Sequence, residues 1–321
     1  MTRRAVVTGG AGFVGSHVAE DLLNDGWEVV LLDDFRTGRR EFIQEIEKNP
    51  SLKVHSIDLL SHNKLSDLFS DCQRTYHLAA NADVRFGPSQ PERDLEQNTI
   101  VTHRVLEASR ISGVREFIFS STGSVYGDSK IIPTPEDAPF PIQTSLYGAS
   151  KLAGEGLVQA YSEAFGIKSW IFRFVSILGP RYSHGHVYDF YKQLRVNPNK
   201  LNVLGNGSQK KSYLHVKDCV EAIKCALKES TSGLQIFNLG TEEYCEVRDS
   251  IGWICDELGL SPEVNYGSGN QGWIGDNPFI FLETEKIQSL GWKPRIAVEE
   301  GVRSTIRYLM ENQWLFVPRN S

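Results

Sequence analysis

The chain has 321 residues, enough at roughly 150 residues per domain for two domains or one large α/β unit. Its 34 Lys+Arg against 40 Asp+Glu leave a formal charge of -6, which argues against nucleic-acid binding driven by bulk positive charge. No apolar run approaches the roughly 18 residues that cross a bilayer, and Met1 to Arg4 lead straight into Ala5-Val6-Val7, so cytoplasmic residence without a membrane partner is expected.

In chain order, residues 5–8 read as a short buried strand. A glycine cluster (Gly9, Gly10, Gly12, Gly15) follows, then a helix over Ser16 to Asn24, where Val18, Leu22 and Leu23 recur at helical spacing and Gly26 marks the stop. Glu28 to Asp33 is a second apolar strand ending in acid, so the first 33 residues form one βαβ unit. Further strands are expected at Lys53 to Ile57, Thr75 to Leu78, Glu116 to Ser120, Lys168 to Phe174 and Leu234 to Leu239, with helices at Asn98 to Ser112 and Leu146 to Phe165. This alternation predicts an α/β fold, a doubly wound parallel sheet of Rossmann type. Later segments read as helices at Asp189 to Leu194, Val216 to Lys228 and Ala297 to Asn312, and as loop with short strand at Asn197 to Gly207. The expected division is a cofactor domain of residues 1–182 plus 217–240, and a smaller mixed α/β substrate lobe of residues 183–216 plus 241–321.

Five cysteines without a CxxC pair argue against a disulfide framework or zinc site and read as structural thiols. His184-Gly185-His186 has no carboxylate or Cys at ligand spacing and reads as a loop near substrate, so no metal is expected. Trp253 and Trp292 read as core, and Trp273 as an exposed residue of a glycine-rich loop.

Chemistry concentrates in three places. Gly9, Gly12 and Gly15 lie between a strand and a helix, where glycine allows a tight turn and brings backbone N–H groups and a helix N-terminus to a pyrophosphate. Asp33, at the next strand end, can accept from an adenosine ribose and repels a 2′-phosphate, favouring NAD over NADP; Arg36, Arg39 and Arg40 leave the second reading open. Asp58 reads equally as an adenine contact or a surface carboxylate. Tyr147 and Lys151, at i and i+4, share one helix face, so the ammonium, with a positive nicotinamide also close, is expected to lower the phenol's pKa and make it a general base.

With TGGAGFVGSH, LLDD, His77-Leu78-Ala79-Ala80, FSSTGSVYG and YGASK on the page, the sequence resembles the extended short-chain dehydrogenase/reductases, in their NAD-dependent epimerase/dehydratase group. HLAANADVRFGPSQP, GNGSQKKSYLHVKD and GWIGDNP are most similar to the archaeal type of UDP-glucose 4-epimerase within it. The resemblance implies NAD as cofactor, held by Gly9, Gly12, Phe13, Val14, Gly15, Asp33, Asp34, Asp58, Leu59, Leu78, Ala79, Ala80, Asn98, Ser120, Tyr147 and Lys151. Asn98 reads equally as a helix-start residue. Thr122 falls at the family's catalytic Ser/Thr position, Tyr147 at the base, and Lys151 at the nicotinamide ribose. Substrate-side positions are Thr122, Ser124, Tyr147, Ser176, Lys211, Gln271 and Ile280. Two arginines of the family's diphosphate grip are replaced, at Lys211 and Gln271, so Lys211 with Arg181 is expected to carry that charge. Arg173 sits where the family keeps a substrate-side Arg, and Ser176 replaces its Asn.

Related 4,6-dehydratases carry an Asp-Glu pair where this chain has Gly123 and Ser124, and related decarboxylases keep a glutamate at the latter. Without them, the expected reaction is NAD-dependent inversion at C4 of a UDP-linked hexose through a 4-keto sugar, with N-acetylhexosamines also admitted if Ile280 stands at the position that limits the C2 group. A nucleotide-sugar 4-reductase or other NAD-dependent sugar oxidoreductase, and a non-catalytic NAD-binding protein, are the alternatives. The two long helices carry more apolar surface than one sheet face needs, and a homodimer is expected.

Overall fold

The computed structural model describes residues 3–317 apart from 83–86, 88, 141, 231–232 and 270–278. Gln271 and Trp273 therefore lie outside the described residues. The first unit is β1 (Arg4–Thr8), α1 (Phe13–Asn24) and β2 (Glu28–Asp33), followed by β3 (Leu52–Ser56) and β4 (Arg74–His77). A one-turn α2 (Pro91–Asp94) runs through a π-helical stretch, Leu95–Ile100, into α3 (Val101–Ile111). Then come β5 (Glu116–Thr122), α4 (Leu146–Phe165) and β6 (Lys168–Phe174). Helix α4 starts where the Ser145 hydroxyl accepts from Gly148 N at 3.0 Å, and ends at Gly166 with φ +67°.

The remainder comprises β7 (Ser176–Leu178), α5 (His186–Val196), β8 (Lys200–Val203), β9 (Lys210–Lys211), β10 (Tyr213–His215), α6 (Val216–Glu229) and β11 (Leu234–Leu239). It ends with β12 (Cys245–Glu246), α7 (Val247–Leu258), β13 (Glu263–Tyr266), α8 (Glu285–Gln288), α9 (Val298–Glu311) and a short 3-10 turn, Gln313–Phe316.

Seven parallel strands form the main sheet in the order β11-β6-β5-β4-β1-β2-β3. The order of strand succession reverses between β1 and β4, and in such sheets ligands bind at the carboxyl ends beside that switch. The expected strands at 168–174 and 234–239 both join this sheet. The strand alternation sorts its apolar residues by face. Ala5, Val7, Val29 and Leu31 enter one core, and Val6, Val30 and Leu32 the other. A third core lies among α5, α7 and α9, with Phe190, Ile254, Val302 and Ile306 buried in it, and Phe42 from the loop after β2 joins it.

Boundaries shift where tertiary bonds intervene. Helix α5 begins at His186, three residues before expectation, after Gly185 with φ +105°. Asn98 is interior to the π-helical stretch and not a helix start. Trp292 is buried and Trp253 packs against the third core, as expected. All five cysteines are free. Among the described residues, no helix is long and apolar enough to cross a membrane, and no cluster of His, Cys, Asp or Glu is arranged to hold a metal ion.

Candidate active site

A cleft of about 1190 Å³ crosses the carboxyl ends of β1, β4 and β5 and continues under α5. That exceeds the roughly 300–1,000 Å³ typical of one small-molecule site, leaving room for a cofactor and a second ligand. At one end, the glycines of the turn after β1 have no room for a side chain. A Cβ on Gly15 would stand 2.1 Å from Gly9 O, and one on Gly9, whose φ is +66°, 2.6 Å from Ala79 N. Backbone and helix α1's N-terminus therefore face the cleft directly, an anion site without a charged side chain. Gly15→Ala should abolish dinucleotide retention, because Gly9 and Gly15 must part to admit the methyl; a purified variant that keeps its NAD would contradict this.

Asp33 is buried, with Oδ2 accepting from Ala11 N at 2.9 Å and Oδ1 from Phe35 N at 2.8 Å. These backbone bonds fix the carboxylate at the end of β2, on the wall of the cleft. The three arginines that left a 2′-phosphate open already have partners, Arg36 within the cleft wall. Arg36 pairs with Asp34 at 2.5 Å and Asp58 at 3.4 Å, Arg40 with Glu47 at 3.0 Å, and Arg39 lies over the Trp314 ring. The cradle, the buried acid and the pairing of Arg36 with two carboxylates fit NAD. Phe13, Val14, Leu59, Leu78, Ala79 and Ala80 line this end, and Asp58 Oδ1 also accepts from Leu60 N at 2.9 Å.

Asn98 does not reach the cleft. It is fully buried, accepting from Asn81 N at 2.8 Å and donating to Asn81 O, Asp94 Oδ1 and Ser150 Oγ, so it ties the π-helical stretch to α4 behind the site. Beside it, Thr102 donates to Asn98 O at 2.6 Å, so it must accept from His77 Nε2 at 3.0 Å, leaving Nδ1 to accept the Thr8 hydroxyl at 2.7 Å.

Mid-cleft, Thr122 ends β5 and Tyr147 opens α4, and their hydroxyls are hydrogen-bonded. Thr122 Oγ1 also accepts from Ser124 N at 3.1 Å and donates to Ser124 Oγ at 3.2 Å. Lys151 Nζ donates to Ser120 O at 2.8 Å and lies 4.8 Å from the Phe119 ring centre. Without the nicotinamide charge that the expectation includes, the protein alone holds both groups neutral-leaning. Burial pushes the phenol up to about 12 against the Thr122 bond, and burial pulls the ammonium down to about 7 against the nearby Glu155.

Beneath these groups is a polar hub that the spacing did not signal. Glu155 and Arg173 form a buried pair with Nη2 to Oε2 at 2.7 Å; Ser121 Oγ donates to Glu155 at 2.5 Å, and Arg173 Nη1 donates to the Tyr126 hydroxyl at 2.6 Å. Arg173 is 1% exposed and does not line the cleft, so it supports β5 and does not face a substrate. Arg181 is likewise absent from the cleft wall and pairs with Glu20 at 2.7 Å, which removes it from the expected diphosphate grip. Lys211, Ser176, Ser124 and Ile280 do line the cleft, and so do Gln193, Asn202 and Gln209, which sequence reading missed. Gln209 and Lys211 are two apart on an extended segment, the one signal that both face inward. Ile280 fills the space beside Gly123, where a Cβ would stand 2.5 Å from Ile280 Cγ2.

Three packed histidines make stability acid-sensitive. Burial lowers His77 and His186 to about 3 and His17 to about 4, with Lys151, Lys211 and Arg181 adding to the effect in turn. An unfolded chain takes up these protons from about pH 6.5 downward while the folded chain does not, so stability should fall as pH drops from about 6.5 to 4. Thermal midpoints across that range test it, and a flat profile to pH 4 would contradict it.

Comparison with known proteins agrees with this geometry. The model of the NAD dependent epimerase/dehydratase family matches residues 5–240. A putative UDP-glucose 4-epimerase of Methanocaldococcus jannaschii is 30% identical over 314 residues, spanning 96% of this chain and 98% of that protein. Among solved structures, a UDP-galactose 4-epimerase is similar at a TM-score of 0.86 and 38% identity, covering 97% of this chain and 100% of that one. The UDP-glucuronic acid 4-epimerase of Bacillus cereus, solved with UDP-glucuronic acid and NAD, is similar at 0.87 and 29% identity, covering 96% and 99%.

Proposed function

Because the chain belongs to the NAD-dependent epimerase/dehydratase family, we propose that it inverts C4 of a UDP-linked hexose through a 4-keto sugar. The observation that carries this reading over elimination is the wall beside Thr122. Dehydration needs an additional acid and base there, but position 123 is glycine with Ile280 filling its side-chain space, and position 124 is serine. The remaining inventory, two bonded hydroxyls and a lysine, suits proton transfer at one sugar oxygen.

NAD, when bound, supplies the hydride acceptor and donor for C4 and a positive charge beside Tyr147. Thr122 orients the C4 oxygen, and Tyr147 takes its proton and later returns it. Lys151, protonated, stabilises the phenolate, and its pull on Tyr147 grows as the cleft fills and water leaves. Lys211 holds the diphosphate as a point charge, without an arginine's bidentate fork. A grip on the nucleotide and a loose hold on the sugar let the keto intermediate present its other face.

The cofactor domain is assigned to residues 1–182 plus 217–240, and the substrate lobe to 183–216 plus 241–321. A homodimer through α3 and α4 is supported by the exposed Ile111 and Phe165 on them, at 62% and 51%, and the enzyme is assigned to the cytoplasm. The test is turnover of UDP-glucose and UDP-N-acetylglucosamine followed at 340 nm. Product formation without net change in NADH supports an epimerase, one NADH formed per oxidised sugar makes the protein a net sugar oxidoreductase, and a 4-reductase would consume NADH only with a 4-keto UDP-sugar as substrate. Complete inactivity toward the N-acetyl substrate would show that Ile280 does not open the C2 side.

A further inference from the structure

The residues after α9 touch both ends of the cleft's frame. Trp314 packs edge-on against Phe42 at 5.8 Å, and the Arg39 guanidinium lies over the same ring at 5.9 Å. Arg39 N in turn donates to Ala11 O at 2.9 Å, and Ala11 N donates to the Asp33 carboxylate, so the glycine-rich turn is pinned through both polar groups of one residue. Two residues on, Phe316 stacks on Tyr188 at 4.7 Å and meets Tyr191 at 5.4 Å, with Arg195 over it at 4.4 Å. The Tyr188 hydroxyl donates to Leu315 O at 3.1 Å, and Gln313 Nε2 donates to the Tyr191 hydroxyl at 2.7 Å. All three of these aromatic and basic partners lie on α5, whose Phe190 and Gln193 line the cleft.

We propose that Trp314 is a positioning residue for NAD: through Arg39 and Ala11 it holds the glycine-rich turn in its binding geometry, and through Phe316 it joins that turn to α5. The segment Gln313–Phe316 is then a brace between the cofactor side and the substrate side of one cleft. None of its residues lines the cleft, so it acts through Arg39 and α5 and contacts neither ligand. Because binding couplings are reciprocal, a ligand that orders α5 should tighten NAD, and NAD should tighten that ligand by the same factor; the tighter NAD is expected to leave more slowly. This coupling rests on the reading of the cleft as a UDP-sugar site; the effect on NAD alone does not.

The test is exchange of bound NAD against added labelled NAD, with and without UDP, in the wild type, Trp314→Ala, Trp314→Phe and Arg39→Leu. Trp314→Ala is expected to exchange about tenfold faster, the scale of one cation–ring contact plus one aromatic pair. Trp314→Phe, which keeps a ring under Arg39, should restore slow exchange, a rescue that general loosening of the fold would not give. Arg39→Leu keeps the backbone bond to Ala11 and should also exchange faster, and it decides the matter if Trp314→Ala does not fold. Wild-type exchange rates in both Trp314→Ala and Arg39→Leu overturn the proposal. UDP should slow exchange in the wild type and not in Trp314→Ala; equal slowing in both overturns the coupling through the brace. UDP that fails to bind the wild type counts against the proposed substrate, and the NAD arm still decides the brace.

Discussion

Replacing Tyr147 with phenylalanine should lower turnover by roughly 10²–10⁴-fold, the usual contribution of a positioned general base, while bound NAD stays at the wild-type level. The phenol oxygen is bonded to Thr122 and is the group placed to exchange a proton with a sugar oxygen oriented by that threonine. Lys151 keeps its bond to Ser120 O without it, so the cofactor side of the site should be intact. The protein alone holds Tyr147 as a neutral phenol, raised to about 12 by burial, and its activity as a base therefore depends on positive charge next to it. Lys151→Met should accordingly cost turnover even though the lysine carries no proton to the sugar. Assays of turnover together with NAD released on denaturation check both variants. Wild-type turnover in Tyr147→Phe would remove the mechanism.

Arg173→Leu is expected to destabilise the fold by about 3–5 kcal/mol, because it leaves the Glu155 carboxylate buried without its cation. Glu155 is 0% exposed, and the pair also fixes Ser121, the residue before Thr122, so loss of activity should accompany loss of stability. By contrast, the surface pair of half-buried Arg303 with exposed Glu299 on α9 should be worth about 0–1 kcal/mol. Urea unfolding of Arg173→Leu and of Glu299→Gln measures the difference. A stable Arg173→Leu with weakened substrate binding would return Arg173 to the substrate side, where the family resemblance had placed it.

What could be read from the sequence followed local rules. The βαβ unit with its glycines, the acid at Asp33, the return of residues 168–174 and 234–239 to the sheet, and the shared face of Tyr147 and Lys151 all follow from period, spacing and turn chemistry. What escaped depends on partners far apart in the chain. Asn98 is a hub because Asn81 and Ser150 fold onto it, Arg181 leaves the cleft because Glu20 of α1 takes it, and Arg173 turns inward because Glu155 lies on the neighbouring helix. The spacing of Tyr147 and Lys151 shows their shared helix face but not the burial that, in the protein without cofactor, raises the phenol and lowers the ammonium. The brace at Trp314 and Phe316 has no local signature, because two aromatic residues after a helix end read the same whether packed or exposed.

The fate of the hydrogen at C4 tests the central claim most directly. With UDP-glucose deuterated at C4 as substrate, NAD only as carried by the protein, and product in large excess over enzyme, the account predicts C4-inverted product that retains deuterium at C4. Product in which that deuterium has exchanged with solvent, or NADH accumulating in step with an oxidised sugar, would contradict it.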